Sequence, residues 1–150
     1  EVMFARVADL DQDGLQDILV VTRLPDELLW FRRLDQSGLK WDKRVIPFPA
    51  NTGHGKGVAV GDMNLDGRPD VVFSCGSAEP PKSGMFWMSF SKSGSELKWE
   101  THEISGPRGI KYDRIELLDL DADGDLDVLS CEERDQKQGL GVFWYENPAR

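Results

Sequence analysis

The residues best equipped for chemistry lie in three nine-residue stretches: DLDQDGLQD from Asp9, DMNLDGRPD from Asp62 and DLDADGDLD from Asp119. Each sets side-chain oxygens at its first, third, fifth and ninth positions and glycine at its sixth. The sets are Asp9, Asp11, Asp13 and Asp17 with Gly14; Asp62, Asn64, Asp66 and Asp70 with Gly67; and Asp119, Asp121, Asp123 and Asp127 with Gly124. Carboxylates this close repel one another, so the pattern implies a cation among them. Alternate oxygens on a tightly curled loop converge on one point, and the glycine permits the sharp turn. The carbonyl at the seventh position (Leu15, Arg68 or Asp125) adds another inward oxygen. Six or seven hard oxygens suit Ca²⁺ better than Mg²⁺, which demands a tight octahedron, or zinc, which prefers nitrogen and sulfur.

An EF-hand loop begins the same way but needs Glu at its twelfth position and a helix on each side. That position is Val20, Phe73 or Ser130 here, inside an apolar run, so the EF-hand reading fails. A single Asp-rich turn can simply hydrogen-bond its own backbone; three copies of one nine-residue pattern call for more. Up to three Ca²⁺ are expected, and three would take the formal charge from −9 to −3. The second loop, with Asn64 replacing a carboxylate, is expected to bind most weakly. Extracellular calcium modules work at roughly 10⁻⁴ to 10⁻³ M, which suits a structural ion outside the cytosol.

The loops belong to a repeat of fifty-odd residues. Ahead of each lies a short alternating run, FARVAD, GVAVGD or RIELLD, with Ala5 and Val7, Val58 and Val60, or Ile115 and Leu117 on one face. After each comes a continuous apolar run, suited to a strand buried on both faces. An aromatic stretch with Trp30, Trp87 or Trp144 follows, then one with Trp41 or Trp99, and glycines and serines mark the joins. PDELLWFRRLDQSG looks helical alone, with Pro25 and Asp26 to start it and Gly38 to stop it. Its aligned partners GMFWMSF and GVFWYENP are β-formers, so a strand is predicted there too.

The chain is thus expected to be all-β, with three four-stranded antiparallel propeller blades at about residues 1–52, 53–109 and 110–150, the last lacking its outer strand. Three blades do not close a ring, so a partial propeller within a larger one, or a ring completed by association, is expected.

The acidic loop followed by an apolar strand, repeated in this way, resembles the FG-GAP or VCBS repeat, and FWYENP and the LKW strands are similar to its bacterial VCBS-type version. The resemblance implies a β-propeller with calcium between the first and second strands of a blade. Integrin α-subunit heads, secreted lectins and some polysaccharide lyases share that blade. The Phe-Gly and Gly-Ala-Pro signatures are absent, which counts against integrin-like adhesion.

With the calcium loops at one end of the blades, PANTGHGKG and SGPRGIKYDR fall at the other. They bring His54, Lys56, Arg108, Lys111, Tyr112 and Arg114 to an otherwise acidic chain. Such groups suit a carboxylate or an acidic sugar, and solvated rim charges would look the same. Three functions follow: an extracellular, periplasmic or cell-surface module binding glycan or protein; part of a lyase acting on acidic polysaccharide, with Tyr112 or His54 as base and Lys56 or Arg114 neutralising the sugar carboxylate; or a structural segment of a multidomain surface protein. No triad, zinc motif or nucleophile elbow points to catalysis. The net acidity argues against nucleic acid, and no apolar run is long enough to span a membrane. No signal peptide is visible, though a fragment of a longer chain would show none either. Cys75 and Cys131 follow apolar runs at equivalent positions and are expected as half-buried thiols.

Overall fold

The computed structural model describes residues 1–93, 96–133 and 139–149. Eleven strands and no helix occur among them: β1 (Val2–Ala8), β2 (Asp17–Thr22), β3 (Glu27–Arg33), β4 (Trp41–Ile46), β5 (His54–Gly61), β6 (Asp70–Gly76), β7 (Met85–Ser93), β8 (Glu96–Glu103), β9 (Tyr112–Leu118), β10 (Asp127–Glu132) and β11 (Gly141–Tyr145). They form three antiparallel meanders in chain order, β1–β4, β5–β8 and β9–β11. The expected all-β blade architecture is what the chain adopts. The join predicted at Gly94 and Ser95, residues 134–138 within the third unit, and Arg150 lie outside the described residues.

The helix-like segment is a strand. Leu28, Leu29 and Trp30 of β3 are buried, and β3 is paired on both sides: Trp30 lies opposite Leu19 of β2 and Arg44 of β4. Cross-strand partners on both edges override a helical propensity that nothing else in the sheet supports.

The sheets stack face to face. Leu19, Val21, Leu28, Trp30 and Ile46 of the first meet Val58, Val71, Phe73, Phe86 and Met88 of the second in one core cluster. A second cluster joins Ala59, Val72 and Met85 to Tyr112, Ile115 and Val128 of the third sheet. The middle sheet is therefore covered on both faces, and every residue of β6 is buried, as its continuous apolar run predicts. Cys75 lies within it, and burial pushes its thiol up to about 12; both cysteines are free.

The first strands sit side by side along the stack. Arg6 of β1 reaches across them, its Nε donating to the Val58 carbonyl at 3.1 Å and its Nη2 to the Ile115 carbonyl at 3.2 Å. The predicted inward face differs between copies. Val58 and Ile115 are buried against a neighbouring sheet, but Ala5 is exposed and Val7 is 65% exposed, because no sheet among the described residues lies beyond β1 on that side.

Candidate metal centre

The three acidic loops connect β1 to β2, β5 to β6 and β9 to β10, and they share one backbone scheme. The fourth residue of each (Gln12, Leu65 or Ala122) has φ between 57° and 66°, and the glycine two places on has φ between 81° and 98°. This left-handed passage curls the chain so that the first carboxylate meets amides further along. Asp9 accepts from the Asp13 and Gly14 amides at 3.0 and 2.9 Å, and Asp62 from those of Asp66 and Gly67 at 3.0 and 2.8 Å. Asp119 accepts from Gly124 at 3.2 Å. The fifth-position carboxylates Asp13, Asp66 and Asp123 each accept the amide two residues on, from Leu15, Arg68 and Asp125.

The ninth aspartate has a role that spacing alone did not reveal. Asp17, Asp70 and Asp127 are buried at the start of the second strand and accept the amide of the loop's second residue, Leu10, Met63 or Leu120, at 3.0–3.3 Å. Asp17 also accepts Trp30 Nε1 at 2.9 Å and the Arg33 amide at 2.8 Å, tying its loop to β3. Asp127 accepts the Asn147 amide at 2.9 Å. The recurrence of Asp at the first residue of each second strand was the available signal. Burial pushes Asp70 up to about 6, with the charges of Asp66 and Asp62 adding to it against the Met63 amide. Burial likewise raises Asp17 despite its donors.

Two carboxylate triads converge. Ligand oxygens of Asp9, Asp11 and Asp17 lie within 4.8 Å of one another, as do those of Asp119, Asp121 and Asp123. The Asp11 side chain is 2% exposed, and its Oδ1 is buried with no hydrogen-bond partner. An unpaired carboxylate oxygen in that setting is costly unless a cation serves it. The donor set is all oxygen, which fits a hard ion. The first loop also meets protein cations: Arg32 Nε lies 2.6 Å from Asp11 Oδ2, Arg32 Nη2 lies 2.9 Å from Asp13 Oδ2, and Lys92 Nζ lies 3.6 Å from Asp11 Oδ2. Burial alone would lower the Arg32 pKa, but Asp11 and then Asp13 outweigh it and raise it. In the second loop Asn64 Nδ2 and Arg68 Nη2 both donate to Asp66 Oδ2, at 3.3 and 2.8 Å.

At the opposite strand ends, a cavity of about 520 Å³ is lined by Arg23, His54, Lys56, Glu79, Lys111 and Glu133, among others. His54 Nδ1 lies 2.7 Å from Asp26 Oδ2, Lys56 Nζ lies 2.7 Å from Asp113 Oδ1, and Lys111 Nζ lies 2.6 Å from Glu133 Oε2. The other three residues of the predicted cluster lie outside that lining. Tyr112 is fully buried, its hydroxyl donating to the Arg108 carbonyl. Arg108 is exposed, and Arg114 Nε donates to Glu116 Oε1 at 2.6 Å.

No characterised protein and no solved structure matches the chain. The family of FG-GAP-like repeats matches residues 9–73, from the first acidic loop through the second and into β6. The chain therefore carries an FG-GAP-like repeat, and its acidic loop and strand pair recur a third time beyond the matched segment.

Proposed function

We propose that this chain is a calcium-binding repeat module of an extracellular, periplasmic or cell-surface protein. In this reading the ions brace the acidic loops, and a glycan or protein ligand is taken at the opposite strand ends. The convergence of Asp9, Asp11 and Asp17 around the unpartnered Asp11 Oδ1 carries the metal reading, and the Asp119, Asp121 and Asp123 triad supports it. Bound Ca²⁺ would supply the countercharge these oxygens lack, with the carbonyls of Leu15, Arg68 and Asp125 and the ninth-position carboxylates completing the shells. The second loop, where Asn64 replaces a carboxylate and Asp66 is bonded to Arg68, is the weakest of the three.

An ion bound only by the folded state at 100 times its Kd stabilises by about 2.7 kcal/mol. The melting temperature should therefore rise by about 5–10 °C in millimolar CaCl₂, less in MgCl₂, and fall back with chelator. An unchanged melting curve up to about 10 mM CaCl₂ would overturn the metal reading.

The cavity around His54, Lys56 and Lys111 presents charges of both signs, mostly paired. Such a lining offers donors and acceptors side by side, as a hydroxyl-rich sugar requires, and favours binding over elimination. A lyase base at Tyr112 is disfavoured by that residue's burial. Glycan binding measured with and without calcium separates a ligand module from a purely structural segment. The uncovered faces of the first and third sheets are places for further blades of the same kind, from a longer chain or a second copy.

A further inference from the structure

We propose that Arg32 is a tethered counter-cation of the first acidic loop, competing with metal for Asp11 and Asp13, so that this loop takes an ion more weakly than its carboxylates alone would. The inference rests on the metal reading above. Its starting point is a difference between two loops with the same carboxylates. In the third loop the converging triad includes the fifth-position Asp123, whereas in the first it omits Asp13 and takes Asp17 instead.

The reason lies on β3. Asp13 Oδ1 accepts the Leu15 amide at 2.9 Å, and its Oδ2 accepts Arg32 Nη2 at 2.9 Å, so both oxygens are engaged and turned from the triad. The same guanidinium holds Asp11 Oδ2 at 2.6 Å, leaving only Oδ1 for an ion. A fixed positive charge on two ligands of one site withdraws acceptor oxygens and repels a second cation at short range, where screening is weak. Lys92, 3.6 Å from Asp11 Oδ2, adds to that field.

The arrangement belongs to one repeat. Arg32 stands two residues after the third-strand tryptophan, and the equivalent residues are Ser89 and Glu146, neither of which can supply a cation. Asp119 and Asp121 make no ion pair with any described residue. The first loop is thus held closed by the protein's own charge when calcium is scarce.

Calorimetric CaCl₂ titration of protein carrying D66A and D121A, which take a ligand side chain from the second and third loops, isolates the first. Adding R32Q should tighten Ca²⁺ binding at least tenfold, and R32K, which keeps the charge, should leave it within about threefold. Binding unchanged or weakened by R32Q would overturn the proposal; weakening would make Arg32 a support of the ligands instead. A measurement on the unmutated protein guards against a misfolded variant. The Arg32 Nε–H resonance should shift as Ca²⁺ loads the first loop, and no shift at full saturation would overturn the competition. Calcium binding at the third loop with an indifferent first loop removes the competition alone. No binding by any form removes the metal reading and the competition together.

Discussion

At the scale of single residues, carboxylates of the same type divide into two kinds. Asp11 keeps one buried oxygen without a hydrogen-bond partner while Arg32 holds the other, whereas Asp17 is served by three N–H donors from Leu10, Trp30 and Arg33. The two should therefore respond differently to substitution. D17A strands those donors in a buried site and should cost about 2–4 kcal/mol with or without calcium, as read by denaturant unfolding. D11N keeps an oxygen for Arg32 but weakens that ion pair, so it should cost the metal-free protein less than D17A, about 1 kcal/mol, while reducing the gain from added CaCl₂. Equal losses for both variants in chelator would contradict this division. The acidic loops hold their shape through their own amides, which fixes where the carboxylates stand.

Among the elements, the joint between the second and third sheets is closely packed. Gly84, just ahead of β7, lies so close to Tyr112 that a Cβ added there would come within 2.3 Å of its ring. That ring is fully buried and packs edge-on against Phe143, with centroids 5.8 Å apart. G84A should cost about 1–3 kcal/mol through overpacking, measured by chemical denaturation, and Y112L in the same background should recover part of the loss. A neutral G84A would mean the joint yields more readily than its packing indicates. The outer strands are bound by side-chain stacking as well as by their ladders. Trp87 of β7 lies over His102 of β8 at 3.9 Å between centroids, and Arg44 of β4 lies 5.4 Å from the Trp30 ring. His102 thus serves the sheet rather than a site.

The molecule as a whole is a stack with two bare ends. Val7 and Val45 on the first sheet are 65% and 54% exposed, and Val142 and Trp144 on the third are 78% and 42% exposed. The middle-sheet counterparts of Val7, Val142 and Trp144, which are Val60, Met85 and Trp87, are buried or half-buried, so these positions have the chemistry of an interior without a neighbour. The isolated chain should associate as its concentration rises, seen as increasing mass in sedimentation. Replacing Val7 and Val142 with lysine should abolish that association while shifting the melting temperature by less than about 2 °C, since both side chains already face solvent. Persistent association in the double variant would place the contact elsewhere.

The sequence by itself determined the repeat, the order of strands within each unit and the course of the acidic loops. Those features are written in short local signals, aspartates at fixed offsets, a glycine at the turn, an apolar run and a tryptophan, copied every fifty-odd residues. It also settled the one ambiguous element, because the aligned copies of β3 could only be strands. What joins distant parts of the chain was decided by the tertiary structure. Arg32 meets Asp11 across 21 residues, Arg6 reaches Ile115 across 109, and both contacts depend on how strands and sheets lie beside one another. The predicted cluster at the far strand ends divided for the same reason: packing of the third sheet against the second drew Tyr112 into the core, while His54, Lys56 and Lys111 stayed at the cavity. Local chemistry shapes a loop, but whether a face is covered or a charge is matched is settled by the neighbouring sheet.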